Sequence, residues 1–374
     1  MTLSGLIGLQ LAPDKSLATL PIAAMVVAGA LTMIPASMWM QRWGRRHGFL
    51  MGTVLGALAG VAGVAAILWH SFALFMLANM LVGAYQGFAQ YYRFAAAEAA
   101  SDAFRPRAIS WVMTGGVIAA LAGPALARHT RDLGSTPFVA SFAAMTLLAV
   151  LSSALLWRTR LPAPPRQDAT EGPAPRPLRE IAGQPVFMAA LTSSAVAFSV
   201  MIMVMTATPL AMQGCGQPLA AAASVIQGHV LGMFLPSFFT GDLIRRFGIL
   251  PVMAAGLALL AGHVGIALSG IEYLHFLSGL VLLGVGWNFM FIGATTLVLQ
   301  AYRPSERAKT QGVYDFVTFG AASIASFSSG SLLNAWGWRA VNLSALPLLG
   351  MAAVALMAYA WHARTARAVA DVAA

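Results

Sequence analysis

The chain has 374 residues, of which 59% are hydrophobic and only 9% charged, and its net charge is +10. Soluble domains carry about a quarter of their residues as charges, so this composition excludes a soluble globular fold. The single cysteine, Cys215, excludes an intramolecular disulfide framework, and the basic excess has no soluble domain on which to form a nucleic-acid face.

Residues 1–12, MTLSGLIGLQLA, are apolar but too short to cross a bilayer. They read as the outer half of a first helix whose inner half is missing, so the intact protein is expected to have twelve helices. No basic stretch precedes them, which argues against a signal peptide. Eleven apolar runs long enough to span follow, near 18–40, 49–69, 72–95, 107–127, 137–157, 185–211, 220–241, 249–269, 274–300, 310–333 and 340–361. Backbone amides in lipid must be satisfied within the segment, so each run is predicted to be a helix. The expected fold is an all-α membrane protein with about eleven full transmembrane helices. Pro124 and Pro236 lie inside runs and are not expected to end them.

The run at 18–40 is followed by Gln41-Arg42-Trp43-Gly44-Arg45-Arg46. In the next run Gly52, Gly56 and Gly60 repeat every four residues, which favours close helix packing. The run at 72–95 ends in YQGFAQYYRFAAAEAA, where Gln86, Gln90 and Arg93 fall at i, i+4 and i+7 and share a helix face. That face is predicted to line a central cavity; the competing reading is a polar seam bonded to a neighbouring helix. Glu98 and Asp315 lie nearer the cytoplasmic ends and are read as gating salt-bridge partners.

The longest break in hydrophobicity, residues 158–184, is rich in Pro and charge and is predicted to be a cytoplasmic linker. It divides the chain into an N-terminal half, 1–157, and a C-terminal half, 185–374. Seventeen of the 22 basic residues, from Arg42 to Arg367, fall on the linker's side of the spans. By the positive-inside rule that side is cytoplasmic, with the C-terminus.

The C-terminal half opens with Met201-x-x-x-Met205 on the 185–211 run, then Cys215, then His229-x-x-x-Met233 on the 220–241 run. Each i, i+4 pair shares a helix face. Thioether, thiolate and imidazole groups suit soft Cu(I). With antiparallel helices the order inward is Cys215, Met205, Met201, His229, Met233, stepping down by roughly 5 Å each. Twenty methionines also produce such pairs by chance, and a lone Cys is often packed as a hydrophobe. His263 reads as a packed histidine bonded to a backbone carbonyl.

The two halves echo each other. Leu81-Val-Gly83-Ala-x-x-x-Phe88 parallels Leu282-Leu-Gly284-Val-x-x-x-Phe289, and Phe104-Arg105-Pro106 parallels Tyr302-Arg303-Pro304. Arg245-Arg246-Phe247-Gly248 occupies the place of the Gln41–Arg46 loop. Parallel six-helix repeats build one large transporter class, which holds its solute near the midplane.

On these residues the chain resembles the major facilitator superfamily. The Gln41–Arg46 loop is similar to that superfamily's D-R-x-G-R-R signature, with Gln41 in place of the Asp. The resemblance implies two six-helix halves and a gating role for Arg42, Arg45 and Arg46, which are expected to reach Asp315. The pairing of Met201 and Met205 with His229 and Met233 resembles the CcoA-like copper importers, a bacterial branch of the superfamily. That implies copper import along those four residues and, more weakly, Cys215, with copper as cargo, no resident cofactor and, as expected of a bacterial transporter, an inner-membrane location. The same branch includes riboflavin importers, for which Tyr85, Gln86, Gln90 and Tyr92, with Trp287 and Asn288, supply aromatic walls and amides. Ala119-x-x-x-Gly123-Pro124 partly resembles an antiporter signature, which leaves proton-driven efflux as a further alternative. Paired carboxylates, a nucleophile constellation and a phosphate loop are missing, so no enzyme is expected. One chain in a lipid bilayer, with a small solute or metal ion as its partner, should suffice.

Overall fold

The structure is a computed structural model that describes residues 2–14, 17, 18, 20–159, 161 and 174–373. Lys15, and within the predicted linker Arg160 and residues 162–173, which include Arg166, lie outside the described residues. The described chain is helical: α1 (Thr2–Leu11), α2 (Leu20–Trp43), α3 (Arg45–Leu68), α4 (Phe72–Ala89), α5 (Tyr92–Ala99), α6 (Arg105–Arg131), α7 (Val139–Arg158), α8 (Leu178–Ala182), α9 (Pro185–Gly214), α10 (Leu219–Phe234), α11 (Ser237–Phe247), α12 (Ile249–Ser269), α13 (Tyr273–Val298), α14 (Arg307–Leu343) and α15 (Ala345–Ala373). Among the described residues, ten stretches are long and apolar enough to cross a membrane. The last, Pro304–Thr365, runs 62 residues and contains both α14 and α15. A single crossing needs roughly 20 residues, so this stretch provides two spans. The α1 helix, at 10 residues, is too short to cross, as expected.

Two runs predicted to be single spans remain single, as Phe72–Ala99 and Ala220–Phe247, but each is interrupted locally. The 72–95 run becomes α4 and α5, separated at Gln90 and Tyr91. Tyr91 N–H bonds the Phe88 carbonyl, three residues back, at 3.2 Å. The Arg93 guanidinium donates to the Gln90 main-chain oxygen at 2.7 Å and so occupies a helical acceptor. The 220–241 run becomes α10 and α11, separated at Leu235 and Pro236. Pro236 has no N–H to give to the preceding turn, which weakens the ladder there. Pro124, by contrast, lies within an uninterrupted α6.

The described residues form two compact units. Unit 1 comprises Met1–Ala95, Leu121–Pro173 and Pro304–Phe316; unit 2 comprises Ala96–Ala120, Ala174–Arg303 and Val317–Ala374. Both α6 and α14 therefore contribute one end to each unit. In unit 1, α4 packs on α2 and α3, and α3 on α7. A Cβ on Gly83 would lie 2.0 Å from the Met25 carbonyl oxygen, so only glycine lets α2 and α4 meet backbone to backbone. The α3 glycines face neighbours in the same way, Gly52 meeting Phe88 and Gly60 meeting Thr146. In unit 2, α13 is the central rod and packs on α9, α10 and α12.

The repeat survives in the backbone. Gly44 and Gly248 precede α3 and α12 with φ/ψ of 87°/160° and 92°/164°. A side chain disfavours this region, so both loops require glycine at the same point.

Candidate functional site

Unit 1 holds a buried charged network. Arg93 on α5 is ion-paired through Nη2 with Asp315 Oδ1 on α14, and the side chains are 2% and 0% exposed. A second donor of Arg93 reaches Gln90 Oε1 at 3.0 Å. One turn before Asp315, Gln311 Oε1 accepts from Arg45 Nη2 at 2.6 Å. Gln311 and Asp315 are i and i+4, so the two arginines act on one face of α14. Tyr91 packs beside Arg45: its hydroxyl donates to the Met33 carbonyl at 2.7 Å, and the Arg45 guanidinium lies 5.5 Å from its ring centre. Gln41, standing where the loop signature has Asp, donates to the Ser305 carbonyl at 3.4 Å.

This arrangement redistributes the residues named from sequence. Arg93, grouped there with Gln86 and Gln90 on a solute-facing surface, is the group hydrogen-bonded to Asp315. Arg46 stacks 5.3 Å from the Trp157 ring and donates to its carbonyl. Arg42 is exposed, with its guanidinium over Trp43, and Glu98 is half-buried. Gln86 is exposed and Tyr85 half-buried, while Tyr92 stacks on Phe49 at 4.1 Å.

Unit 2 carries an aromatic cluster. Trp287 and Phe291, one turn apart on α13, stack at 5.0 Å with planes 13° apart. Phe198 of α9 sets its ring edge-on to Trp287 and Phe291, both at 5.2 Å, and packs at 4.7 Å on Phe319 of α14. Phe234, the last residue of α10, reaches Trp287 at 5.9 Å. Trp287 is buried, whereas Phe198, Phe234 and Phe319 are half-buried. The buried Trp287 Nε1, Ser193 Oγ and Thr295 Oγ1 have no hydrogen-bond partner among the described residues. The four phenylalanines escape a sequence reading that looks for polar and sulfur groups. The available signal was spacing: Phe198 stands three and seven residues before Met201 and Met205 on the same helix face.

Asn288, the neighbour of Trp287, serves the break in α10–α11. Its amide donates to the Met233 carbonyl and to Ser237 Oγ, both at 2.6 Å, and its Oδ1 accepts from Thr240 Oγ1 at 2.7 Å. The side chain thus supplies the contacts that Pro236 weakens.

The sulfur and imidazole residues lie on the expected helices, Met201 and Met205 on α9, His229 and Met233 on α10. Met201, His229 and Met233 are buried and Met205 half-buried. Cys215 is exposed at the end of α9. His229 Nδ1 bonds the Leu280 carbonyl at 2.8 Å, and His263 Nδ1 bonds the Gly279 carbonyl at 2.9 Å. Two histidines from α10 and α12 thereby hold consecutive carbonyls of α13. A ring nitrogen facing a carbonyl oxygen must carry the proton, so Nε2 of each presents a lone pair. For His263 this is the packed, backbone-bonded state expected from sequence.

The profile of the Major Facilitator Superfamily matches residues 1–326. The riboflavin transporter RfnT of Brucella anthropi is 42% identical over 358 residues, covering 96% of this chain and 90% of the relative. The uncharacterized MFS-type transporter YdeG of Bacillus subtilis is 27% identical over 92% of this chain and 83% of its own length. Among solved structures, the E. coli fucose:proton symporter FucP superposes with a TM-score of 0.73 at 18% identity, covering 94% of this chain and 93% of the symporter. A bacterial homologue of the iron transporter ferroportin, outward-facing, superposes with a TM-score of 0.73 at 16% identity over 96% of this chain and 94% of its own. With its all-helical fold, its membrane-length helices and its match through both repeats, this chain belongs to the Major Facilitator Superfamily and is a multi-pass membrane transporter.

Proposed function

We propose that the chain imports riboflavin, or a closely similar flavin, across the bacterial inner membrane, with the linker and C-terminus on the cytoplasmic side. The observation that carries this reading is the 42% identity to a riboflavin transporter, sustained over 96% of the chain. The aromatic cluster in unit 2 supports it, because an isoalloxazine ring is flat and is held well by stacked and edge-on rings. This reading replaces copper as the first assignment. The test is uptake of labelled riboflavin and of radioactive copper by cells expressing the chain. Riboflavin should accumulate above vector-only cells, and unchanged riboflavin with raised copper would reverse the assignment.

Copper is kept as a second reading by one observation, the buried His229 Nε2, whose lone pair meets no hydrogen-bond donor among the described residues. Met201→Leu with Met205→Leu separates the two, since Leu replaces Met at nearly constant volume but offers no sulfur. Flavin uptake should stay within about threefold of wild type, because the change costs packing little; a copper path would be lost.

A further inference from the structure

We propose that the Trp287 indole N–H is the donor that reads a planar, fused heteroaromatic solute, taking a ring nitrogen or carbonyl oxygen at the solute's edge. The inference rests on the flavin reading above and assigns its selecting group.

Trp287 is 2% exposed and its Nε1 has no acceptor among the described residues. Buried tryptophan N–H groups ordinarily find a partner, because leaving one unpaired costs free energy. The same unit supplies a comparison: buried Trp338 donates Nε1 to the Ala267 carbonyl at 3.2 Å. Phenylalanine at 287 would still stack on Phe291 and would carry no unpaired donor. Packing therefore accounts for the ring of Trp287 and leaves its N–H without a use.

The surroundings suit a flat guest. Phe198 and Phe234 cover Trp287 as half-buried rings. Phe234 sits directly before the Leu235–Pro236 break, where a few backbone dihedrals can re-aim its ring. Its present position depends on Gly116 of α6, since a Cβ there would lie 2.3 Å from the ring. When the Phe198 and Phe234 rings part, a fused ring system can enter edge-on to the indole nitrogen. Isoalloxazine offers both requirements, a wide π face and acceptors along its rim. A metal cation offers neither, and an indole N–H is a donor only, so this feature favours an organic solute over copper.

The test replaces Trp287 with benzothienylalanine, which keeps the ring shape and puts sulfur in place of N–H, and separately with phenylalanine. Riboflavin affinity of the purified full chain is read from flavin fluorescence, alongside 1-deaza- and 5-deazariboflavin, and each ligand-free melting temperature is recorded. Both variants should bind riboflavin about tenfold more weakly, which is about 1.4 kcal/mol. The ligand-free melting temperature of the benzothienylalanine variant should be equal to wild type or higher, since a residue kept only for packing would not lose affinity while gaining stability, whereas the phenylalanine variant also leaves a cavity. If one deaza analogue abolishes the difference between wild type and variant, the acceptor is that ring nitrogen; if neither does, it is a carbonyl oxygen. A benzothienylalanine variant with wild-type affinity would overturn the inference and leave the flavin reading intact. A wild-type protein that binds no riboflavin would remove the flavin reading and this inference with it.

Discussion

Arg93 and Asp315 stand 222 residues apart in sequence and form a buried ion pair inside unit 1. Neither charge has access to water, so each depends on the other. Removing one member of such a pair typically costs 3–5 kcal/mol, whereas an apolar replacement of both is often neutral. Arg93→Met and Asp315→Leu should each lower the melting temperature of the detergent-purified protein sharply, and the double variant should recover most of the loss. Additive losses in the double variant would show that the pair is not coupled.

Asn288 predicts a separate stability effect. Its three hydrogen bonds hold Met233, Ser237 and Thr240 around the α10–α11 break. Asn288→Leu leaves these groups without that partner at an expected cost of about 1–3 kcal/mol for each one left unsatisfied. Denaturant unfolding should show the drop. An unaltered midpoint would mean that the break is held by other contacts.

The α2–α4 contact predicts a pair of glycine outcomes. Gly83→Ala forces a Cβ to within 2.0 Å of the Met25 carbonyl oxygen, whereas Gly123 has nothing within 4 Å of the equivalent position. Gly83→Ala should cut the yield of monodisperse protein severely, and Gly123→Ala should not. Equal yields from the two would contradict the backbone contact.

The helical plan was legible from hydrophobicity because a bilayer admits few other structures. Both helix breaks had partial signals, and for different reasons neither was decisive. Pro236 was visible, but the compensating Asn288 lies on another helix. The break at Gln90–Tyr91 depends on how Arg93 folds back onto its own helix, which no local pattern records. From sequence, Arg93 falls on a cavity face and Asp315 goes to the Gln41–Arg46 loop arginines; the Arg93–Asp315 pair is visible only in tertiary contact. Asn288 was read as a polar wall for solute because an amide in a span has two possible uses. Trp287 is visible in the sequence as an aromatic residue inside a span, whereas its phenylalanine neighbours look like ordinary lipid-compatible residues and only tertiary contact gathers them around it.

Cys215 predicts a topology result. It is the chain's single cysteine and is exposed at the end of α9. If the linker is cytoplasmic, α9 runs outward and Cys215 faces the periplasm. A membrane-impermeant maleimide should label it in spheroplasts without permeabilisation. Labelling only after permeabilisation would invert the orientation.

The central claim is that this transporter carries a flavin, and the most direct measurement is counterflow in proteoliposomes containing only the purified chain. Vesicles preloaded with unlabelled riboflavin should transiently accumulate labelled riboflavin from outside, and excess unlabelled riboflavin outside should suppress the signal. Accumulation no greater than in protein-free vesicles, from protein shown to be folded by its melting transition, would contradict the account.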